Sequence, residues 1–241
     1  MMRNVGDGAV HIAEHEEPPG DEAPEESAVA RSARRRRRGL WAALVVVVLW
    51  MGAGAVLSDP TAPRPEWAFL HVSSDGTPVA YPCGPIGYVV RPEGAPDDWP
   101  AVVADAVDAV EQASGYDLVD RTTTPRPETA GPVVFIRWGD EQTDPSLAGT
   151  VVGTGGSHPV DDRNRGTQHY EQGEILLDTR GVGTYSAADR RITLMHEFGH
   201  VLGLDHVESA REIMSTGQYR ATEDFGPGDL IGLARLHDTS C

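Results

Sequence analysis

The sequence contains no lysine; all 20 of its Lys-plus-Arg residues are arginine. We read this as a compositional bias of the coding genome and attach no chemistry to it. Basic residues are also few, 20 against 37 Asp and Glu, for a formal net charge of −17. That balance excludes a nucleic-acid partner, because holding a phosphate backbone requires a basic surface that displaces its counterions. Charge of this size favours solubility and carries no information about fold. Cysteine is scarce too. Cys83 and Cys241 allow one disulfide and cannot by themselves build a thiolate zinc cluster. No internal repeat is visible. The chain, with 27 Gly, 18 Pro and 39% hydrophobic residues, has the composition of a loop-rich globular domain with appendages.

Long apolar runs are absent with one exception. Residues 1–39 are polar, rich in Glu, Pro and Ala, and lack apolar periodicity, so they are expected to be a disordered segment. They end in five consecutive arginines, Arg34 to Arg38. Residues 40–57 then run without a charge, and as a helix they would span roughly 27 Å, close to the hydrocarbon thickness of a bilayer. This predicts one transmembrane signal-anchor helix with the arginines, and hence the N-terminus, on the cytoplasmic side and the rest of the chain outside. The alternative is a signal peptide cleaved near Ala53-Gly54-Ala55, which would leave a secreted domain. Residues 58–66 read as a Pro-rich linker, and residues 67–241 as the folded domain.

Within that domain, two apolar runs flank Ser74-Asp75-Gly76, predicting a β-hairpin. A strand is expected over 86–90. Val102, Val103, Ala106, Val107 and Val110 recur at helical spacing, so a helix is expected over 98–114 with Gly115 as its stop. Further strands are expected at 117–120, 133–138, 147–152 and 174–178, with a Gly- and charge-rich loop over 153–173. A second helix should begin at Ser186 or Asp189 and a last one cover 229–237. This order describes an α+β domain with a twisted sheet.

Residues 196–206 read HEFGHVLGLDH. On a helix, His196 and His200 lie one turn apart on the same face, so both imidazoles can reach one ion. Glu197 stands beside the first histidine, able to reach a water on that metal without binding the metal itself. Gly203 tolerates the positive φ that ends the helix and turns the chain, and His206 then supplies a third nitrogen. Three histidines and one water make a four-coordinate zinc site with an exchangeable position. Hydrolysis follows if Glu197 accepts the water's proton and returns it to the departing amine.

This motif, followed by a methionine eight residues on in Glu212-Ile213-Met214-Ser215, resembles the metzincin zinc metallopeptidases, and GHVLGLDH is most similar to their matrixin branch. PCGPIGYVV near the start and GPGDLIGLARLH near the end resemble actinobacterial matrixin-family proteins. The resemblance covers roughly residues 67–241. It implies a metzincin-like catalytic domain with a mostly parallel five-stranded sheet, an active-site helix and a C-terminal helix. It further implies a zinc endopeptidase acting on peptides or proteins, with Glu197 catalytic, His196, His200 and His206 on zinc, and Met214 as an apolar floor beneath them. Asp229 is implied to bond the methionine turn, against a plain N-cap role. Val207 departs from the Ser or Thr usual at its position, and Tyr219 lies too far past Met214 to match the tyrosine some metzincins use.

Three further expectations concern a second ion, the cysteines and the substrate edge. His158, Asp161, Asp162 and His169 fall where matrixins hold a structural zinc or calcium, so a second ion stands as an alternative to a plain loop. Cys83 is read as the disulfide partner of Cys241 in an oxidising exterior, against a zinc-capping cysteine. The strand near Leu147-Ala148-Gly149 is the expected edge for pairing an extended substrate. A catalytically inactive zinc-binding ectodomain and a hydrolase of cell-wall peptides are the competing functions. Oligomeric state is not legible.

Overall fold

The structure, a computed structural model, describes residues 66–162, 166–216 and 222–241, with no description of the side chains of 181–183. The expected segments 1–39 and 40–57, the expected linker 58–66 apart from Glu66, and Tyr219 lie outside these residues. Among the described residues, no helix is long and apolar enough to cross a membrane.

The elements run β1 (Ala68–Phe69), β2 (Ile86–Arg91), α1 (Trp99–Ser114), β3 (Leu118–Asp120), β4 (Val133–Gly139), β5 (Gly153–Asp162), β6 (Thr167–Asp178), α2 (Thr179–Thr184), α3 (Ala187–Leu202), β7 (Leu204–Asp205) and α4 (Pro227–Ser240). Five of the strands form one sheet in the order β3-β2-β4-β6-β5, parallel except for the antiparallel edge strand β5. The mixed α+β architecture with a mostly parallel five-stranded sheet is therefore as expected.

Helix α1 forms where its apolar spacing places it. Val102, Val103, Ala106, Val107 and Val110 are buried along one stripe, and Gly115, at φ 78°, closes the helix with its N–H on the Glu111 carbonyl. Asp98 makes no cap bond with its side chain; it pairs instead with Arg190 of α3, tying the two helices together. In β4 the alternation Val134, Ile136, Trp138 is buried while Phe135 and Arg137 are partly exposed, the period-two signature of a strand with one covered face. One continuous core joins Val134, Ile136 and Ile175 of the sheet to Val107, Leu194, Phe198, Val201 and Leu236 of the helices.

Several expectations are corrected. Residues 147–152 are not a strand: Pro145–Leu147 form a 3-10 turn with Leu147 fully buried, and the chain stays irregular up to Gly153. The expected loop over 153–173 is mostly the two longest strands, β5 and β6, paired antiparallel with a register irregularity between Ser157 and Pro159. That bulge, and the glycines at 153, 155, 156 and 173, erase the alternation a strand normally shows. The expected hairpin is present but short, closed by an antiparallel bridge between Val72 and Pro78 and by Ser73 N–H on Thr77 and Val79 N–H on His71, while Ala68 and Phe69 pair with Asp205 and Leu204 of β7. Helix α2 was not foreseen, and α4 extends beyond the expected 229–237 at both ends.

Candidate metal centre

The site is built at the C-terminal end of α3. Ser186 starts this helix with a reciprocal capping box, its hydroxyl accepting from the Asp189 N–H while the Asp189 carboxylate accepts from the Ser186 N–H. From Thr193 to Leu202 every residue is buried, so the motif half of the helix is locked into the core. Gly203 ends it at φ 121°. A Cβ there would stand 3.1 Å from Leu236 Cδ2 and 3.2 Å from the Val79 carbonyl oxygen, so both the conformation and the packing require glycine. The turn brings β7 back along the helix end and delivers His206.

Three imidazoles converge as a result. The Nε2 atoms of His196 and His200 each lie 3.2 Å from Nε2 of His206. Among the described residues these three side chains form the one group of three or more His, Cys, Asp or Glu able to hold an ion, with ligand atoms all within 4.8 Å of one another. His196 Nδ1 is 2.8 Å from the Ile213 carbonyl and His200 Nδ1 is 2.9 Å from the Leu204 carbonyl. A carbonyl can only accept, so each Nδ1 carries the proton and each Nε2 turns a lone pair inward. One proton on His206 could satisfy one of those lone pairs, not both; a shared cation satisfies all three. A tetrahedral zinc–imidazole set, with bonds near 2.0–2.1 Å, has donor atoms about 3.3–3.4 Å apart. The observed spacing fits that ion.

The surroundings hold these rings in place. Met214 is fully buried, and a Cβ on Gly199 would come within 2.4 Å of its sulfur, so the methionine packs directly against the helix between the two histidines. The turn carrying Met214 is stitched to the segment after His206: Val207 N–H donates to the Met214 carbonyl and Thr216 N–H to the Val207 carbonyl, each at 3.0 Å. Asp229 Oδ2 accepts from the N–H of Ile213 at 2.6 Å and of Gly226 at 3.0 Å. It is thus the third residue of α4, reaching back to the N-cap Gly226, and it also bonds the methionine turn. Burial pushes its carboxyl up to about 6; the Gly226 and Ile213 N–H groups oppose that shift and nearby Glu212 adds to it.

Glu212 is the residue that sequence reasoning missed. It is fully buried, and its Oε2 accepts from Gly228 N–H at 2.8 Å and Asp229 N–H at 3.0 Å. Two carboxylates therefore clamp the methionine turn to the first turn of α4, reciprocally. Nothing in the string Glu-Ile-Met distinguishes this glutamate from a solvated one.

Glu197 is buried but lines an open cleft of about 310 Å³ together with the three histidines, Leu70, Asp205 and residues 153–155. Asp205 Oδ1 accepts from the His206 N–H at 2.7 Å. One wall of the cleft is β5, whose outer edge carries no neighbouring strand among the described residues. This corrects the expectation that residues 147–149 supply the edge. Gly153 and Gly155 matter here, since a Cβ at Gly155 would lie 2.4 Å from the Glu197 carbonyl oxygen.

His158, Asp161, Asp162 and His169 are strung along β5 and β6 rather than gathered in a loop, and His169 pairs with Glu171. Cys83 and Cys241 are joined in a disulfide with Cα atoms 5.0 Å apart, fixing the end of α4 to the loop before β2.

A five-stranded sheet with a three-imidazole centre at the end of a long helix is an arrangement that can hold one zinc ion. A family model described as matrixin matches residues 135–236, which spans β4 through most of α4, and this part of the chain is matrixin-like. No curated protein matches the chain.

Proposed function

We propose that the protein is a zinc endopeptidase in which His196, His200 and His206 hold the ion and Glu197 is the catalytic base. The observation that carries this reading is the convergence of three Nε2 atoms, two of them oriented by backbone carbonyls, beside a buried carboxylate in a cleft. Zinc held by these three histidines would supply Lewis acidity and would lower the pKa of water to about 7. Glu197 accepts the proton of the attacking water and passes it to the departing amine. The unpaired edge of β5 offers backbone donors and acceptors to an extended peptide, a mode of recognition that depends little on side chains. Met214, Asp229 and Gly203 act by positioning the histidines.

Zinc analysis and cleavage of casein by the full chain, with and without chelator, test this reading. One equivalent of zinc with chelator-sensitive cleavage is expected. Zinc binding without any cleavage would leave the inactive-ectodomain alternative, and activity confined to peptidoglycan fragments would favour the cell-wall alternative.

We also propose that residues 40–57 anchor the domain on the outer side of a membrane, on the strength of the uncharged run and its flanking arginines. Recovery of the uncut chain in the membrane fraction is expected; a soluble form beginning after residue 57 would replace the anchor with a cleaved signal.

A further inference from the structure

The segment before the sheet does more than lead into it. Ala68 and Phe69 pair antiparallel with Asp205 and Leu204, the two residues that deliver His206. Leu70 N–H continues the ladder onto the Gly203 carbonyl at 2.9 Å, and the His71 carbonyl accepts from Val79 N–H at 3.0 Å. Upstream, the Arg235 guanidinium sits 5.0 Å over the Trp67 ring and Glu66 pairs with Arg211. The backbone that fixes the third histidine therefore also fixes Leu70, and the offset between them is built into one small sheet.

Leu70 occupies a particular place in the cleft. It is the sole aliphatic side chain among the lining residues, which also include Gly153, Thr154 and Gly155, two of them without a side chain. A second groove of about 330 Å³ runs on from the first toward Ser157 and His158, and the two have Leu70, Thr154 and Gly155 in common. A peptide running along β5 from one groove into the other would meet Leu70 and that glycine-rich stretch, which line both.

On the basis of the peptidase reading above, we propose that Leu70 is a specificity-determining residue, selecting apolar substrate side chains by size at the position next to the scissile bond. An aliphatic side chain beside residues that offer only backbone gives a substrate side chain burial and no polar side-chain partner, so it discriminates by volume. Each methylene gained or lost in such a pocket changes selection by about 10- to 200-fold.

The test is binding, with turnover read separately. Zinc-loaded full chain, wild type and the series Leu70→Ala, Leu70→Val, Leu70→Met and Leu70→Phe, is titrated calorimetrically with two sets of peptide hydroxamates. The sets extend from the chelating group in opposite chain directions, and the residue next to that group is Ala, Leu, Phe or Arg. Zinc content of each variant shows that the centre is intact; the Met and Val variants keep the series readable if Ala or Phe perturbs folding. In one set, the Phe-to-Ala affinity ratio is expected to rise at least about tenfold in Leu70→Ala and to fall in Leu70→Phe. Ratios that stay constant across the series in both sets, or wild-type protein that binds no hydroxamate, would overturn the proposal. A ratio that shifts in a protein that cleaves no peptide would retire the peptidase reading and leave the role of Leu70 standing.

Discussion

The two walls of the cleft are built on opposite principles. On the helix side, α3 is buried from Thr193 onward, and two imidazoles are committed to named carbonyls. Beneath them Met214 fills the space over Gly199, and two buried carboxylates tie its turn to α4. On the strand side, residues 153–156 present mostly backbone, at the open edge of the sheet, with Leu70 opposite. One wall is over-determined and the other is sparsely furnished. Metal chemistry needs donor atoms held to a few tenths of an ångström, whereas an extended peptide needs an unoccupied edge. Positional accuracy here comes from burial, and recognition from its absence.

The comparison breaks most sharply by substitution on the helix side. His200→Ala should abolish both stoichiometric zinc and cleavage. Glu197→Gln should keep the zinc while lowering kcat by about 10²- to 10⁴-fold. Metal analysis paired with peptide kinetics separates the two, and near-normal cleavage by Glu197→Gln would sink the proposed role of that carboxylate.

A smaller effect tests where the walls touch. Gly155→Val would drive a Cβ to 2.4 Å from the Glu197 carbonyl oxygen, a backbone atom that cannot swing away. Overpacking of this kind costs roughly 1–3 kcal/mol, so thermal unfolding should shift clearly downward and kcat should fall with it. Gly156→Ala, where nothing lies within 4 Å, is the neighbouring control and should change stability by under about 0.5 kcal/mol. Equal responses from the two variants would mean that the strand is free to move off the helix.

The mildest effect is a pH dependence. Asp229 has its carboxyl raised from 3.8 to about 6, chiefly by burial. Ionisation is therefore harder in the folded state than in the unfolded chain. Below about pH 4 both states are protonated and the group is neutral toward stability; as pH rises from about 4 to about 6 the unfolded chain ionises first, so stability falls, and above that window the loss is complete. One proton limits the slope to about 1.4 kcal/mol per pH unit. Unfolding measured across this window should show that descent in the wild type and lose it in Asp229→Asn, and an unchanged slope in the variant would assign the descent to other groups.

Much of the helix wall could be read before any coordinates. The spacing of His196 and His200, the glycine at 203 and the stripe Val102 to Val110 each encode a local geometry, because a helix has a fixed pitch and a positive φ favours glycine. Strands β5 and β6 could not be read in this way. Their register shift at Ser157 and Pro159 and their glycines leave no period-two signal, and the string Gly-Thr-Gly-Gly-Ser-His resembles a loop. Glu212 was equally illegible, since its partners, Gly228 and Asp229, lie sixteen and seventeen residues away. So was Leu70, an ordinary apolar residue until β1 pairs with β7.

By itself the sequence determined which residue types could meet a metal ion, and that one helix would present two of them on a common face, since these depend on side-chain chemistry and a regular pitch. Only the tertiary structure decided which strand forms the open edge, and that a segment more than a hundred residues upstream supplies a wall of the cleft. Those outcomes depend on pairings between distant backbone groups, which local sequence does not specify.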